Sequence, residues 1–541
     1  MSRGAVAAGH PAEVDAGLRM LAEGGNAMDA AVAGGFAASV VEPSNCGLAG
    51  YGHLSAYLPV RRAFLTVDHG PRAPMAARPD MFELAGGYEG GHYDWPQAVG
   101  RRNEVGALAP AVPGCVAGLC AAHAEAGVLP LEQVLAPAIE LADAGVEFDW
   151  HLVLMITERL GEIRGTTAEA ALLRGGDPPR GSGYWGTGDR LDTATLAETL
   201  RRIAREGPSA FHGGAVAEAI ARAVADEGVL TAADVAGYRP KVFVERPATY
   251  RGLEYVTSND QVGYEVLNIL DRFDVGPMGA GSTRFLHLIG EAFGIAFADN
   301  VSAYGDPDFT DSPLDELAST AFAARRADLI REDAVLPRPV EPVDPRGPAG
   351  PPQSGGTVGT SQVTAVDDSG MAVALITTIG HDFGSLVYVP EAGLFLNSSM
   401  VNFDPRLGRP NCIEPGKMPF FAVPAIVAAR DGRGVFAAAG SGGYRITSGV
   451  VHAFVHHADF GMPVREAVDA PRVYCQGDQL FVDARIPDAA RAALEAVGHR
   501  VVAEANRPGY APFARVSAVS ASGAGFEAAS DPPWSTASGV V

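Results

Sequence analysis

GGTVGTSQVTAVDDSGMAVALITTIG, Gly355 to Gly380, reads as a tight β-hairpin. One strand runs from Thr360 to Val366, Asp367-Asp368-Ser369-Gly370 makes the turn, and the return strand spans Met371 to Thr378. The return strand is rich in Val, Leu, Ile and Thr, as a buried strand should be. The approach to it is different. From Leu336 to Gly359 the chain is rich in Pro and Gly with almost no large apolar residue, the composition of an exposed flexible linker. A linker running straight into a core strand with Gly-Thr at the junction suggests a cleavage site. Cutting Gly359–Thr360 leaves Thr360 as a new N-terminus on a rigid strand.

That end has a chemical use. A threonine hydroxyl alone is a weak nucleophile, but a free α-amine has a pKa of about 7.7–8.0 and accepts the hydroxyl proton near neutral pH. Nucleophile and base then share one residue. Gly-Thr pairs are common, so the stretch alone favours an ordinary linker and hairpin, and the remainder of the chain has to decide.

Composition narrows the field. The chain has 541 residues, 47% of them hydrophobic and 19% charged, which is globular and long enough for a large core. A formal net charge of −23 argues against nucleic acid or an anionic membrane as partner. Lysine occurs only at Lys241 and Lys417, a compositional bias rather than a functional signal. Cys46, Cys115, Cys120, Cys412 and Cys475 are scattered and lack zinc-ligand spacing, which fits free thiols in a reducing compartment. No apolar run is long enough for a membrane span and the N-terminus lacks an apolar signal core, so a cytoplasmic location is expected.

Helical patterns cover 11–24 and then Ala27 onward, with Asn26 as a cap and many Ala and Gly for close packing. Others follow at Leu131–Ala144, Ala194–Arg205, Val216–Glu227, Gly263–Phe273 and Thr283–Phe297. Strands are expected at Phe64–Val67, Tyr250–Thr257, Phe421–Ala429 and Gly434–Ala439, and a Ser/Gly/Ala-rich mobile tail from Ser520. Helices dominate before the linker and strands after it, which implies stacked sheets with helices outside rather than alternating βαβ units. HAFVHH puts His452 and His456 at i, i+4, but no Glu stands between them as a metallohydrolase needs, so a packed helix is the reading.

Ten motifs then fall in order. GGNAMDAAVA at Gly24–Ala33, AVPGCVAGL at Ala111–Leu119, LTAADVAGY at Leu230–Tyr238 and AYGDPDF at Ala303–Phe309 precede the linker. GTSQVTAVDDSG, FGS at Phe383–Ser385, GLFLNSSM, PGKMP, GSGGYRI and AVDAPRV follow it. Together they resemble the large and small subunits of γ-glutamyltranspeptidases, over nearly the whole chain. The resemblance implies an α+β fold, the αββα sandwich of N-terminal-nucleophile hydrolases. It implies one precursor that cuts itself into residues 1–359 and 360–541, with no cofactor. The expected partners are a small-molecule substrate and the second subunit, with a higher oligomer open; neither nucleic acid nor membrane is expected.

On this resemblance Thr360 is the nucleophile, Gly359–Thr360 the autocleavage bond, Thr364 a hydroxyl position of the first strand, and Thr378 the second threonine that positions the nucleophile's amine. Gly442 and Gly443 fall on the oxyanion-hole pair, where small residues let backbone N–H groups approach the developing charge. The substrate pocket is read at Arg72, Gly380, His381, Ser399, Asn402, Phe420 and Phe421. Here the chain departs from the family. Arg72 stands two residues late relative to an Arg-Glu-x-Ala-Pro pattern. Phe420-Phe421-Ala422 replaces Leu-Ser-Ser, Ser399-Met400-Val401-Asn402 replaces Gln-x-Asp-Asp, Gly380 replaces an Asn, and Thr360-Ser361-Gln362 replaces Thr-Thr-His. Most of these swaps remove a charge, an amide or a hydroxyl. They predict that glutathione is a poor substrate, because unpaired buried charges are costly. His381 reads equally as an acid/base or carboxylate-binding group and as a solvated loop histidine. Acylases of the cephalosporin type, hydrolases of small amides, and carbon–carbon-cleaving members of antibiotic pathways remain open as neighbours, as does a non-catalytic homologue that stays one chain.

Overall fold

The computed structural model describes residues 3–86, 95–183, 186–257, 260–338, 340–342, 358–421, 424–507, 510–531 and 536–541. Most of the expected linker, 343–357, and Ala422 of the pocket lie outside the described residues.

The strands that matter here are, in chain order, β1 (Gly4–Ala8), β2 (Tyr51–Leu58), β3 (Ala63–His69), β4 (Lys241–Glu245), β5 (Ala248–Tyr250), β6 (Leu253–Thr257), β7 (Val358–Asp367), β8 (Ala372–His381), β9 (Ala425–Arg430), β10 (Arg433–Ser441), β11 (Arg515–Ser522), β12 (Gly525–Ser530) and β13 (Ala537–Val540). The helices are α1 (Pro11–Ala22), α2 (Ala27–Val41), α3 (Cys115–Ala126), α4 (Leu131–Ala144), α5 (Gln261–Leu270), α6 (Thr283–Ala303) and α7 (Arg445–Phe460). Among the described residues, one seven-stranded sheet runs β13-β1-β7-β8-β2-β3-β4 and a six-stranded sheet runs β12-β11-β10-β9-β6-β5. All neighbours in both are antiparallel.

Side-chain alternation sets the layers. Along β8, Val373 and Leu375 face α2 and its neighbours, whereas Ala372, Ala374 and Ile376 face the second sheet. Along β7, Val363 and Ala365 take the helix side and Val366 the sheet side. Helices α1 to α4 therefore cover one face, and α5, α6 and α7 the opposite one, giving the expected αββα order. Each sheet contains strands from both sides of Gly359, so the two halves of the chain share one interior.

The hairpin sits at the centre of the first sheet. Its turn also starts α2: Asp367 Oδ2 accepts the Ala27 N–H at 2.7 Å, and Oδ1 accepts that of Ser369 at 2.9 Å. Asn26 and Asp29 add a reciprocal capping box. The Ala/Gly content of α2 has a direct reason. A Cβ at Gly34 would lie 2.9 Å from a Val363 methyl, and one at Gly35 would lie 2.6 Å from a Leu375 methyl. The helix lies against the hairpin with no room for larger side chains.

One strand is added and one expectation is corrected. The strand β1, not anticipated from GAVAA, pairs with β7 on one side and β13 on the other. The tail from Ser520, expected to be mobile, forms β11's end, β12 and β13. Its composition offers little side chain to bury, but backbone pairing to β1 and β11 orders it. A buried ion pair adds to this: Arg472 Nη1 lies 3.0 Å from Asp531 Oδ2, which also accepts the Val516 N–H at 2.6 Å. Arg472→Met leaves a buried carboxylate without its cation and should cost about 3–5 kcal/mol. A lowered urea midpoint at unchanged slope is the expected result, and a shift smaller than about 1 kcal/mol would show the pair to be dispensable.

Candidate active site

Thr360 and Thr378 stand directly opposite each other on β7 and β8. Both have the parity of the inter-sheet face, the same face from which Gln362 Nε2 reaches Ser517 Oγ on the second sheet at 3.1 Å. Beyond Thr378 the register slips at Ile379, and Gly380 pairs with Gly359. Gly380 has a φ of +89°, and this bulge turns its N–H back to donate to Thr378 Oγ1 at 3.0 Å.

The hydroxyls then form a directed chain. Thr360 Oγ1 donates to Thr378 Oγ1 at 3.3 Å, and Thr378 Oγ1 donates to the Gly359 carbonyl oxygen. With two donors aimed at it, the Thr378 oxygen has its own proton committed to the carbonyl of the expected scissile bond. Gly359 is sterically required: a Cβ there would sit 2.4 Å from the Ser44 carbonyl oxygen. Thr364 is more remote and ties β7 to β1 through the Ala7 carbonyl at 3.2 Å.

Gly442 and Gly443 follow β10 and immediately precede α7. Their φ values of +132° and +62° are of the kind glycine adopts readily, and a Cβ on Gly442 would meet Ala514 Cα at 3.0 Å. The residue before them is linked to β7 by Arg515, whose Nε donates to Ser441 Oγ at 2.6 Å and whose Nη2 donates to the Thr360 carbonyl at 2.9 Å.

The pocket residues divide. Asn402 Nδ2 donates to the Tyr51 hydroxyl at 2.9 Å, and that hydroxyl also lies beside those of Ser399 and Thr378. Burial pushes the Tyr51 phenol above its usual pKa, so it is neutral. The Phe421 ring packs edge-on against Tyr51 with centroids 5.5 Å apart. Phe420 points into a different cluster, against Tyr304 at 4.5 Å and Tyr444 at 5.6 Å. Arg72 pairs with buried Asp306 at 3.3 Å, and the same Asp306 Oδ2 accepts the Met418 N–H at 2.9 Å, so Arg72 braces the PGKMP loop. His381 lies 3.6 Å from Glu104. Burial, with the nearby Arg159 and Arg101, lowers its pKa to about 3. An uncharged ring at neutral pH is a poor partner for a substrate carboxylate, which weighs against that role.

Gly70 stands two residues before Arg72, where the resemblance places an arginine. A Cβ there would lie 2.6 Å from Met418 Sδ and 2.6 Å from Phe421 Cε1 and Cζ. Tyr51, Met418, Gly70, Ser441 and Arg515 were not legible as site residues in the sequence. Tyr51 opens β2 directly after a glycine-rich stretch, and Arg515 is 155 positions from Thr360. Among the described residues, one cluster has metal-ligand chemistry, His287, Glu291 and His499, with ligand atoms within 4.8 Å of one another. Its atoms already have protein partners: His287 meets His499 and the Arg331 carbonyl at 2.7 Å each, and Glu291 takes Arg338 and the Leu336 N–H. His452 and His456 are buried in α7 and contact the carbonyls of Val473 and Ala467.

The family model for gamma-glutamyltranspeptidase matches residues 14–540. The chain belongs to that family. It is 37% identical over 507 residues to the acylase ACY 1 proenzyme of Pseudomonas sp. (strain SE83), covering 93% of this chain and 88% of that one. It is 31% identical to the glutathione hydrolase proenzyme of Escherichia coli (strain K12), covering 92% and 86%. The crystal structure of a cephalosporin acylase from Bacillus halodurans superposes with a TM-score of 0.85 over 99% of this chain and 96% of that one, at 23% identity, a likeness of fold. The chain is an enzyme of the gamma-glutamyltranspeptidase family with the N-terminal-nucleophile hydrolase fold. Among its described residues, no helix is long and apolar enough to cross a membrane.

Proposed function

We propose that this family member cuts its own Gly359–Thr360 bond and then uses Thr360 to carry acyl groups other than γ-glutamyl from an amide to water or an amine. The maturation step follows from the hydroxyl chain. Thr360 Oγ1 attacks the Gly359 carbonyl carbon, while Thr378 donates to the oxygen on which charge develops. An ester to Thr360 forms as the amide breaks, and water releases the Gly359 carboxylate. The freed α-amine of Thr360 then serves as base for its own hydroxyl. In turnover, Thr360 Oγ1 attacks a substrate amide, and the Gly442 and Gly443 N–H groups receive the oxyanion. Shared sheets keep the two fragments together after the cut. That the two relatives compared above are both made as proenzymes supports this order of events.

The single observation behind the substrate reading is the filled space at Gly70. Met418 and Phe421 occupy the region an arginine side chain would need. The polar groups around the Tyr51 hydroxyl are neutral: the hydroxyls of Ser399 and Thr378 and the amide of Asn402. Such a wall suits an apolar or aromatic acyl group with a neutral polar end. A γ-glutamyl group brings an ammonium and a carboxylate, and one buried charge without its partner costs about 3–5 kcal/mol, roughly a hundredfold or more in kcat/KM.

The processed enzyme is to be given γ-glutamyl anilide and neutral anilides of similar length, such as pentanoyl and phenylacetyl. Anilide release and the intact mass of the fragment opening at Thr360 are followed. Faster release from the neutral acyl donors, with their acyl mass on that fragment, is expected. Equal or faster release from γ-glutamyl anilide overturns the substrate reading.

A further inference from the structure

Arg515 is almost fully buried, at 8% exposure, and touches both halves of the reaction centre. Its strand partner in β10 is Ser441, the residue before the oxyanion glycines. Its guanidinium donates through Nε to Ser441 Oγ at 2.6 Å and through Nη2 to the Thr360 carbonyl at 2.9 Å. The residue before it, Ala514, has a φ of +60° and lies where a Cβ on Gly442 would come within 3.0 Å of its Cα. Strand start, oxyanion loop and nucleophile thus meet at one side chain.

A buried acid pair stands behind it. Arg515 Nη1 is 4.0 Å from Glu42 Oε1 at the end of α2, and that oxygen also accepts from Asn45 Nδ2 at 2.8 Å. Glu13 of α1 accepts the Ser361 hydroxyl at 3.2 Å, beside the nucleophile. Gly9 is tight against both: a Cβ would lie 2.8 Å from Ser361 Oγ and 2.9 Å from Glu42 Oε2. Burial, and then the charge of Glu42, raises Glu13 well above the carboxylate range. Glu42 is held low in spite of its burial, with Arg515 as the main opposing influence. Burial and charge thus favour the proton on Glu13 over Glu42, which faces the guanidinium.

We propose that Arg515 is a positioning residue for acyl transfer, clamping the nucleophile's own carbonyl to the strand that feeds the oxyanion glycines. This rests on the reading of Thr360 as nucleophile. The clamp matters most after maturation. Before the cut, Thr360 is held by chain on both sides as the third residue of β7. After it, Thr360 is a chain end, and chain ends fray unless tied down. Arg515 ties it through the carbonyl, leaving amine and hydroxyl free to react. A displacement of about 1 Å at a reacting group costs on the order of a hundredfold in rate.

The test compares Arg515→Met, Arg515→Lys and Ser441→Ala with the wild type as processed proteins. The neutral anilides serve as donors, and acyl-Thr360 formation is timed by intact mass under single-turnover conditions. Arg515→Met should lower acylation and kcat about a hundredfold with KM within about threefold, and Arg515→Lys should recover part of the loss. Ser441→Ala removes one arm of the clamp and should lower kcat about tenfold, and it decides the matter if Arg515→Met does not fold. Acylation within about threefold of wild type in Ser441→Ala, or in folded Arg515→Met, overturns the clamp. Failure of the wild type to form any acyl-Thr360 overturns the nucleophile assignment instead, and the clamp with it.

Discussion

Thr360→Ala should remain a single chain of 541 residues with no measurable amide turnover. The substitution deletes the oxygen proposed to attack Gly359 in maturation and the substrate in catalysis. What remains at the site is Thr378, still donating to the Gly359 carbonyl but with no nucleophile beside it. Polarising a carbonyl without an attacking group does not break an amide on a useful timescale. The expected loss of kcat is at least about 10⁴-fold. Thr360 is buried, and trimming a small hydroxyl-bearing side chain there should cost about 1 kcal/mol, too little to unfold the protein. Thr360→Ser keeps the hydroxyl and should still be cut. A denaturing gel over a time course distinguishes the cases, with the melting temperature confirming that each variant is folded. Cleavage at Gly359 in Thr360→Ala would show that another group attacks. A wild type that stays full length after incubation would make this a non-catalytic member of its family.

Thr378→Val is the second large effect. Valine matches threonine in shape and keeps a β-branched residue in a strand. It removes the donor to Gly359 and the acceptor used by Thr360 and by the Gly380 N–H. The Gly380 N–H is then left buried and unsatisfied, a cost of about 1–3 kcal/mol in stability. Loss of one donor to a developing oxyanion typically slows a reaction by about 10²–10³-fold. Maturation of purified full-length Thr378→Val should therefore slow by roughly that factor, and Thr378→Ser should restore most of it. The half-time of conversion to two fragments is the measurement. If the valine variant matures at the wild-type pace, the Thr378 hydroxyl is not the donor that matters.

Both effects reach residues that were readable from local sequence. The hairpin was legible because Val, Leu, Ile and Thr are concentrated beside an Asp-Asp-Ser-Gly turn, and its strands differ from expectation only in their ends. The Ala and Gly of α2 announced close packing, and the structure shows the Val363 and Leu375 methyls that demand it. By contrast, GAVAA and the Ser/Gly/Ala tail carry too little apolar signal to be read as strands. They are ordered by pairing with each other and with β7 and β11, which are hundreds of residues away for β1.

The pocket shows the same division. The loss of charged and amide groups around Ser399, Asn402 and Phe421 was legible as substitution. That Phe421 and Met418 stand over Gly70, that Arg72 is held by Asp306, and that His381 turns to Glu104 was not. Each of these depends on which side chains meet across separate loops.

By itself, the sequence determined the hairpin, through strand composition and turn chemistry, and the family, through the order of its motifs; that resemblance in turn implied the αββα layering and the pair of threonines. Only the tertiary structure decided how the Thr378 proton is directed and what fills the space beside Gly70. It alone also showed that Arg515 joins the nucleophile to the oxyanion loop. Those outcomes rest on a one-residue bulge at Ile379 and on contacts between segments from 155 to 351 residues apart, for which local sequence carries no physical signal.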